Sequence, residues 1–213
     1  MRNSLPNLGA CLALTLLVWN ALAAQGRDTS DDLVLDSESL SMDRQTNLIE
    51  LKGPRITQGD IRIEADKALA TGTDFEQRSE WQFQGHVRIT MDMAVLEADS
   101  AVFTFDRKQL AHAELEGAPA SFTDRDPSRK TPIRGGARKL AYDRVARTLR
   151  MSENAWINKD QYEIQGCDLI YDFNDQGVKS GATDCGELFR IRVLPKNEPQ
   201  TPPAAPPPPP PPQ

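Results

Sequence analysis

Histidine is almost missing from this chain. It occurs twice, as His86 and His112, whereas a cupin-type metal site needs several histidines close together, so metal-dependent catalysis has little to stand on. Cysteine is nearly as sparse: Cys11, Cys167 and Cys185 show no C-x-x-C spacing, which removes a disulfide-exchange motif. Cations are in deficit. Lys and Arg number 25 against 31 Asp and Glu, a net charge of −6, which argues against a nucleic-acid clamp and against a surface drawn to anionic headgroups. A ligand that carries phosphates is therefore not expected to be held by them. The acids are plentiful, but they fall in turns and on strand faces that read as solvated, so no flanking carboxylate pair marks a hydrolase. No amphipathic helix longer than two turns is visible. The residues specify neither a catalytic cluster nor a cofactor or metal site.

What is present begins with an address. Arg2 gives a positive start, Leu8 to Leu22 is mostly apolar, and Ala21-Leu22-Ala23 has the form of a cleavage site. Residues 1–23 read as a signal peptide, too short and too soon followed by polar residues for a spanning helix. An uncleaved anchor is the alternative. Removing the leader leaves 24 cations against 31 anions, a mature charge of −7. In an exported chain Cys167 and Cys185 most simply pair. Such a bridge closes a loop of about 19 residues and is worth roughly 3 kcal/mol in the chain-entropy model. Residues 24–30 form a short linker, and residues 195–213 turn abruptly to proline, ending in Pro206 to Pro212. That tail should be an extended, solvated polyproline segment.

Between residues 31 and 194 the apolar period is two. Leu48-Ile49-Glu50-Leu51, Ile61-Arg62-Ile63, Trp81-Gln82-Phe83, Val87-Arg88-Ile89, Leu140-Ala141-Tyr142 and Phe189-Arg190-Ile191-Arg192-Val193 alternate as half-buried antiparallel strands do. Turn residues separate them, as at Asp143-Arg144 and Asn174-Asp175-Gln176-Gly177. A phrase also recurs: a glycine, a strand, a turn, a second strand, then Ala-Asp or Gly. It runs from Gly53 to Asp66 and from Gly85 to Asp99, with looser echoes from Gly117 and Asn154. The expectation is one all-β domain of about 14–18 short strands in two facing layers. Jelly-roll and β-solenoid arrangements both suit the repeat. Thr123 to Pro132, charged and proline-containing, reads as an exposed loop.

These residues also resemble a family. Leu33-Val34-Leu35-Asp36-Ser37, Ser39-Leu40-Ser41-Met42 and Thr57-Gln58-Gly59 followed by Ile61-Arg62-Ile63-Glu64-Ala65-Asp66 are similar to the LptA/OstA-like family of periplasmic lipopolysaccharide transport proteins. Gly117-Ala118-Pro119-Ala120-Ser121-Phe122, Leu140-Ala141-Tyr142-Asp143 and Asn154-Ala155-Trp156-Ile157 extend the likeness in the same order. Pro54-Arg55 departs from it, and proline there removes a ladder donor, as at an edge or bulge. Cys167 is a local departure too, and Gly85 to Glu116 resembles an added repeat. The resemblance implies a slightly open antiparallel β-jelly roll in the periplasm, with a hydrophobic groove for the acyl chains of the lipid A moiety. It also implies partners: LptC-like inner-membrane and LptD-like outer-membrane proteins, or copies of itself stacked head to tail.

The groove set follows from both lines. Phe122 and Tyr142 resemble family positions that face lipid, and Leu33 and Leu35 resemble the first strand. Ile61, Ile63, Val87, Ile89, Leu96, Leu140 and Leu149 are added from alternation alone. Burying one methylene is worth about 0.8 kcal/mol, so a twelve-carbon chain represents near 10 kcal/mol that a carrier must match with continuous apolar surface. The expectation is an unfilled trough. Leu33, Val34 and Leu35 at one end, with Arg190, Ile191, Arg192 and Val193 at the other, are candidate edge-strand interfaces. The arginines either blunt the edge or meet acids such as Asp31, Asp32 and Asp36 of a neighbour. Two rivals stay open: an LptC-like protein held by an uncleaved N-terminus, and a scaffold that binds no lipid.

Overall fold

The computed structural model describes residues 32–43, 45–71, 78–181 and 189–195. The expected leader, the linker, Asp31, Cys185 and the tail beyond Pro195 lie outside them. Among the described residues, fourteen strands form one antiparallel sheet: β1 (Val34–Asp36), β2 (Ser39–Asp43), β3 (Leu48–Lys52), β4 (Arg55–Gln58), β5 (Ile61–Glu64), β6 (Lys67–Thr71), β7 (Ser79–Met91), β8 (Ala94–Asp106), β9 (Gln109–Asp124), β10 (Ile133–Asp143), β11 (Thr148–Lys159), β12 (Tyr162–Asp172), β13 (Gly177–Ser180) and β14 (Arg190–Val193). The sheet is open, ending in β1 and β2 on one side and in β13 and β14 on the other.

Six of these strands are not short. β7 to β12 run 11 to 16 residues each, and Trp81-Gln82-Phe83 and Val87-Arg88-Ile89, read above as separate strands, are two halves of β7. The register slips once within most of these pairings, between Gln84 and Val87, Glu97 and Ser100, Ala137 and Lys139, and Ser152 and Ala155. Such bulges bend a strand without ending it. Aligned across neighbours, they fold the sheet along one line. Residues 79–84, 100–106, 109–116, 139–143, 148–152 and 168–172 join β2, β3, β6 and β13 in a first layer. Residues 87–91, 94–98, 120–124, 133–137, 155–159 and 162–165 join β1, β4, β5 and β14 in a second.

The repeated phrase is this fold line written into the chain. Gly53, Gly85, Gly117 and Asn154 each stand where the chain crosses from the first layer to the second. Gly53 and Gly85 take φ of 54° and 74°, and Asn154 takes 63°, a left-handed backbone that glycine and asparagine tolerate best. The closing Ala65-Asp66 and Ala98-Asp99 mark the return crossings. There Asp66 N–H donates to Gly85 O at 2.9 Å, and Ala118 N–H donates to Asp99 Oδ2 at 3.2 Å. Each phrase is one second-layer hairpin. Pro54 sits at the first crossing, outside any strand, where its missing donor costs no ladder bond.

Inward residues of both layers make one core, including Leu51, Ile63, Phe83, Leu96, Phe103, Leu115 and Ile157, all buried. The outward alternation carries ion pairs instead, such as Lys67–Glu50 at 2.7 Å, Lys139–Glu153 at 2.8 Å and Arg88 with Glu97. Such exposed pairs add little to stability, because water and salt screen them. Cys167, at the fold line on β12, is disulfide-bonded, while its expected partner Cys185 falls outside the described residues.

Candidate functional site

The alternation places the expected groove residues together. Ile61, Ile63, Val87, Ile89, Leu96, Phe122, Leu140, Tyr142 and Leu149 are buried between the layers, and Leu33 and Leu35 pack half-buried against the same core. The trough is not empty along its middle. Phe122 of the second layer meets Tyr171 of the first at 5.1 Å between ring centroids. Phe173 stands edge-on to Tyr171, Tyr142 and Phe122 at 5.0, 6.0 and 6.4 Å. Gly135, opposite Phe122, makes room for this: a Cβ there would lie 2.2 Å from the Phe122 ring. The side chains expected to wait for a guest fill the space themselves, because aromatic rings from facing layers reach each other.

Space remains at the free margins of the folded sheet. Opposite the fold line, turns of the two layers face each other as lips. A cleft of about 450 Å³ opens between them, with Ile61, Met91, Met93 and Tyr142 among its lining and Asp60, Asp92, Arg144 and Arg147 around it. Of the expected set, Ile61 and Tyr142 reach this cleft.

Polar residues on the inward phase close the lips on either side, and strand alternation alone does not single them out. Gln58 follows Ile56 at the end of β4 and is 3% exposed. Its amide donates to Lys108 O at 2.6 Å, and its Oε1 accepts from Leu110 N–H at 3.1 Å. Asp124 follows Ala120 and Phe122 on β9, not in the loop expected from Thr123. Its Oδ2 accepts from the Tyr171 hydroxyl at 2.7 Å. Burial first, then that hydrogen bond, pushes the Tyr171 hydroxyl far above the ordinary tyrosine range, so it remains a donor. Outside this pair, Arg129 Nε donates to Gln176 Oε1 at 2.7 Å, and Gln176 Nε2 donates to Asp126 Oδ2 at 2.8 Å. Lys159 Nζ reaches Gln176 O at 2.6 Å, and Arg129 pairs with Asp160 at 3.0 Å. The Ser128 N–H does most to hold the Asp126 carboxyl below the usual range. A polar residue ending an apolar alternation was the available signal for Gln58 and Asp124. Their partners came from distant turns.

The interior surfaces again at both ends. Leu40 and Met42 pair with the inward Leu51 and Ile49, so they share that face, yet they are 58% and 46% exposed. Ile191 and Val193 pair with Ile164 and Tyr162 and are 65% and 60% exposed. Arg190 and Arg192 therefore point outward, and Arg192 lies 3.8 Å from Glu163 of its own chain. Val34 faces outward and is exposed, as are Asp32 and Asp36.

An antiparallel sheet folded on itself, open at two edges and apolar between its layers, defines an open β-jelly roll. The family model described as LptA/(LptD N-terminal domain) LPS transport protein matches residues 69–177, just over half of the chain. The chain belongs to that family. Over 205 residues it is 25% identical to the lipopolysaccharide export system protein LptA of Escherichia coli K12, covering 92% of each chain. The LptA of Shigella flexneri matches equally well. Among solved structures, LptH of Pseudomonas aeruginosa, described as the LptA-homologous periplasmic component of the lipopolysaccharide transport device, superposes with a TM-score of 0.51 at 13% identity. It covers 79% of this chain and 99% of its own. The fold is shared.

Proposed function

We propose that this chain is a periplasmic lipopolysaccharide carrier. It shelters lipid A acyl chains between its two layers and bridges inner- and outer-membrane components of the transport machinery. It works by burial and not by catalysis. The observation that carries the reading is the inward apolar face, continuous from the exposed Leu40 and Met42 at one edge to the exposed Ile191 and Val193 at the other. Apolar surface left open at a sheet edge is a site for another chain or another molecule. β1 and β2 at one end and β14 at the other offer strands to LptC-like and LptD-like domains, or to a second copy. Main-chain hydrogen bonds then supply affinity and the flanking apolar residues supply fit.

A photo-crosslinking residue in place of Tyr142, in growing cells, tests the carrier. Adducts with lipopolysaccharide are expected at Tyr142 and none at Val145, three residues on and 91% exposed. The filled middle of the interior favours the scaffold reading, and a folded protein with no adduct at Tyr142 decides for it. Determining the mature N-terminus separates a free carrier, starting after Ala23, from an anchored LptC-like protein that starts at Met1.

A further inference from the structure

We propose that the cleft between the lips is the port by which an acyl chain enters the interior, and that the hydrogen-bonded cluster at Gln176 is the clasp that must release to admit it. The inference rests on the carrier reading and adds the route. The fold-line side of the interior is closed by continuous strands crossing from layer to layer, so no chain can pass there. On the lip side, Gln58 holds one stretch closed, while Asp126, Arg129 and Gln176 hold another. The cleft opens beside them, and its volume of about 450 Å³ is within the range of small-molecule sites.

Its lining is divided: Ile61, Met91, Met93, Ala94, Tyr142 and Phe173 form an apolar track for an alkyl chain, while acidic, arginine and amide side chains of the two lips make up the larger share. Met93 is 40% exposed and Met91 is 6% exposed, so two flexible thioethers lead from the outside inward, and such side chains adapt to irregular apolar guests. Ile61 and Tyr142 continue the path to Phe173. That ring touches Phe122, Tyr142 and Tyr171 edge-on, so it occupies the place where a methylene chain would meet the expected groove residues. Phe173 is the plug of the port. It directly precedes the Asn174–Gln176 turn, and Gln176 is the residue that the clasp grips.

The two closures differ in what release exposes. Gln58 bonds backbone groups of the opposite turn while 3% exposed, and breaking it strands buried polar groups, which is expensive. The Gln176 clasp is built from charged and amide groups near solvent, with Asp160 53% exposed and Arg129 22% exposed at their side chains. Water can replace those partners. The clasp side opens and the Gln58 side acts as the hinge. Release draws the Asn174–Gln176 turn and the Phe173 ring outward together, and it breaks the Tyr171–Asp124 hydrogen bond beneath.

A reversible lock tests this. In the full-length protein, Asp126→Cys with Gln176→Cys is locked through a short bis-thiosulfonate linker, which oxidises both thiols to mixed disulfides. The linker spans two positions whose native side chains meet end to end but whose Cβ atoms a direct disulfide does not reach. Uptake of fluorescently labelled lipopolysaccharide is followed over time. Wild-type protein is expected to load, the oxidised double variant to load at least tenfold more slowly, and mild reductant to restore it. Wild-type protein under the same reductant controls for the native disulfide at Cys167. A separate Gln176→Ala variant, which keeps the interior intact, is expected to load severalfold faster than wild type. Wild-type loading rates in both the oxidised lock and Gln176→Ala overturn the port and leave the carrier standing. A wild-type protein that takes up no probe overturns the carrier reading, and the port falls with it.

Discussion

The middle of the interior and its two ends are made from the same alternation and treated in opposite ways. In the middle, Phe83 and Phe103 cross edge-on at 4.7 Å, and both are fully buried. At the ends, Leu40, Met42, Ile191 and Val193 sit on the same inward phase and are about half exposed or more. A domain built only to be stable would finish its core with polar or capping residues at the last strands. The contrast separates what the residues do for the fold from what they leave available to others. Phe103→Ala should therefore cost about 3–5 kcal/mol in denaturant unfolding, while Ile191→Ala should change it by less than about 0.5 kcal/mol. Equal losses at both positions would show that the ends are core after all.

Tyr171→Phe sharpens the same contrast from within. It preserves the ring packing and removes the donor that Asp124 uses, leaving a carboxylate that is 6% exposed without that partner. A loss of about 1–3 kcal/mol is expected, measured by thermal or denaturant unfolding. An unchanged midpoint would mean that water already satisfies Asp124. At the ends the expected effect is on association. Ile191→Asp with Val193→Asp places charge on the inward face of β14, and should weaken pairing with a second copy or a partner domain at least tenfold. That is about 1.4 kcal/mol, read by sedimentation, with the unfolding midpoint unmoved.

This division was only half legible in the residues. Strand alternation gave the layers and the inward set, because side-chain direction has a period of two whatever the tertiary context. The glycine-led phrase was visible, but its meaning as a fold line was not. A bulge shifts the register without interrupting the apolar pattern, so β7 reads as two strands until its neighbours are seen bending beside it. Gln58 and Asp124 stood out only as polar residues on an apolar phase. Their partners Lys108 and Tyr171 lie 50 and 47 residues away, a pairing no local pattern encodes. Alternation also cannot say which inward residues find a facing ring. Phe122 meets Tyr171, whereas Ile191 meets solvent.

The smallest expected effect lies on the outside of the closed middle, at the fold line. His86 is left-handed, with φ of 45°, beside Gly85, and its Nδ1 is 2.7 Å from Asp66 Oδ2. That hydrogen bond, and then the charge of Asp66, raises the imidazole above its ordinary value of 6.5. A raised value in the folded state means the pair stabilises fully below the ordinary value. Its contribution is lost as pH climbs through the folded one. The pair is solvent-exposed on both sides, at 90% and 61%, so screening keeps the effect slight. Asp66→Asn should bring the His86 titration, followed by NMR, back toward 6.5. It should also flatten whatever slope the melting temperature shows from just below that pH upward. A His86 titration unmoved by Asp66→Asn would mean that the bend is held by backbone hydrogen bonds alone, with the exposed pair contributing nothing to the stiffness of the middle.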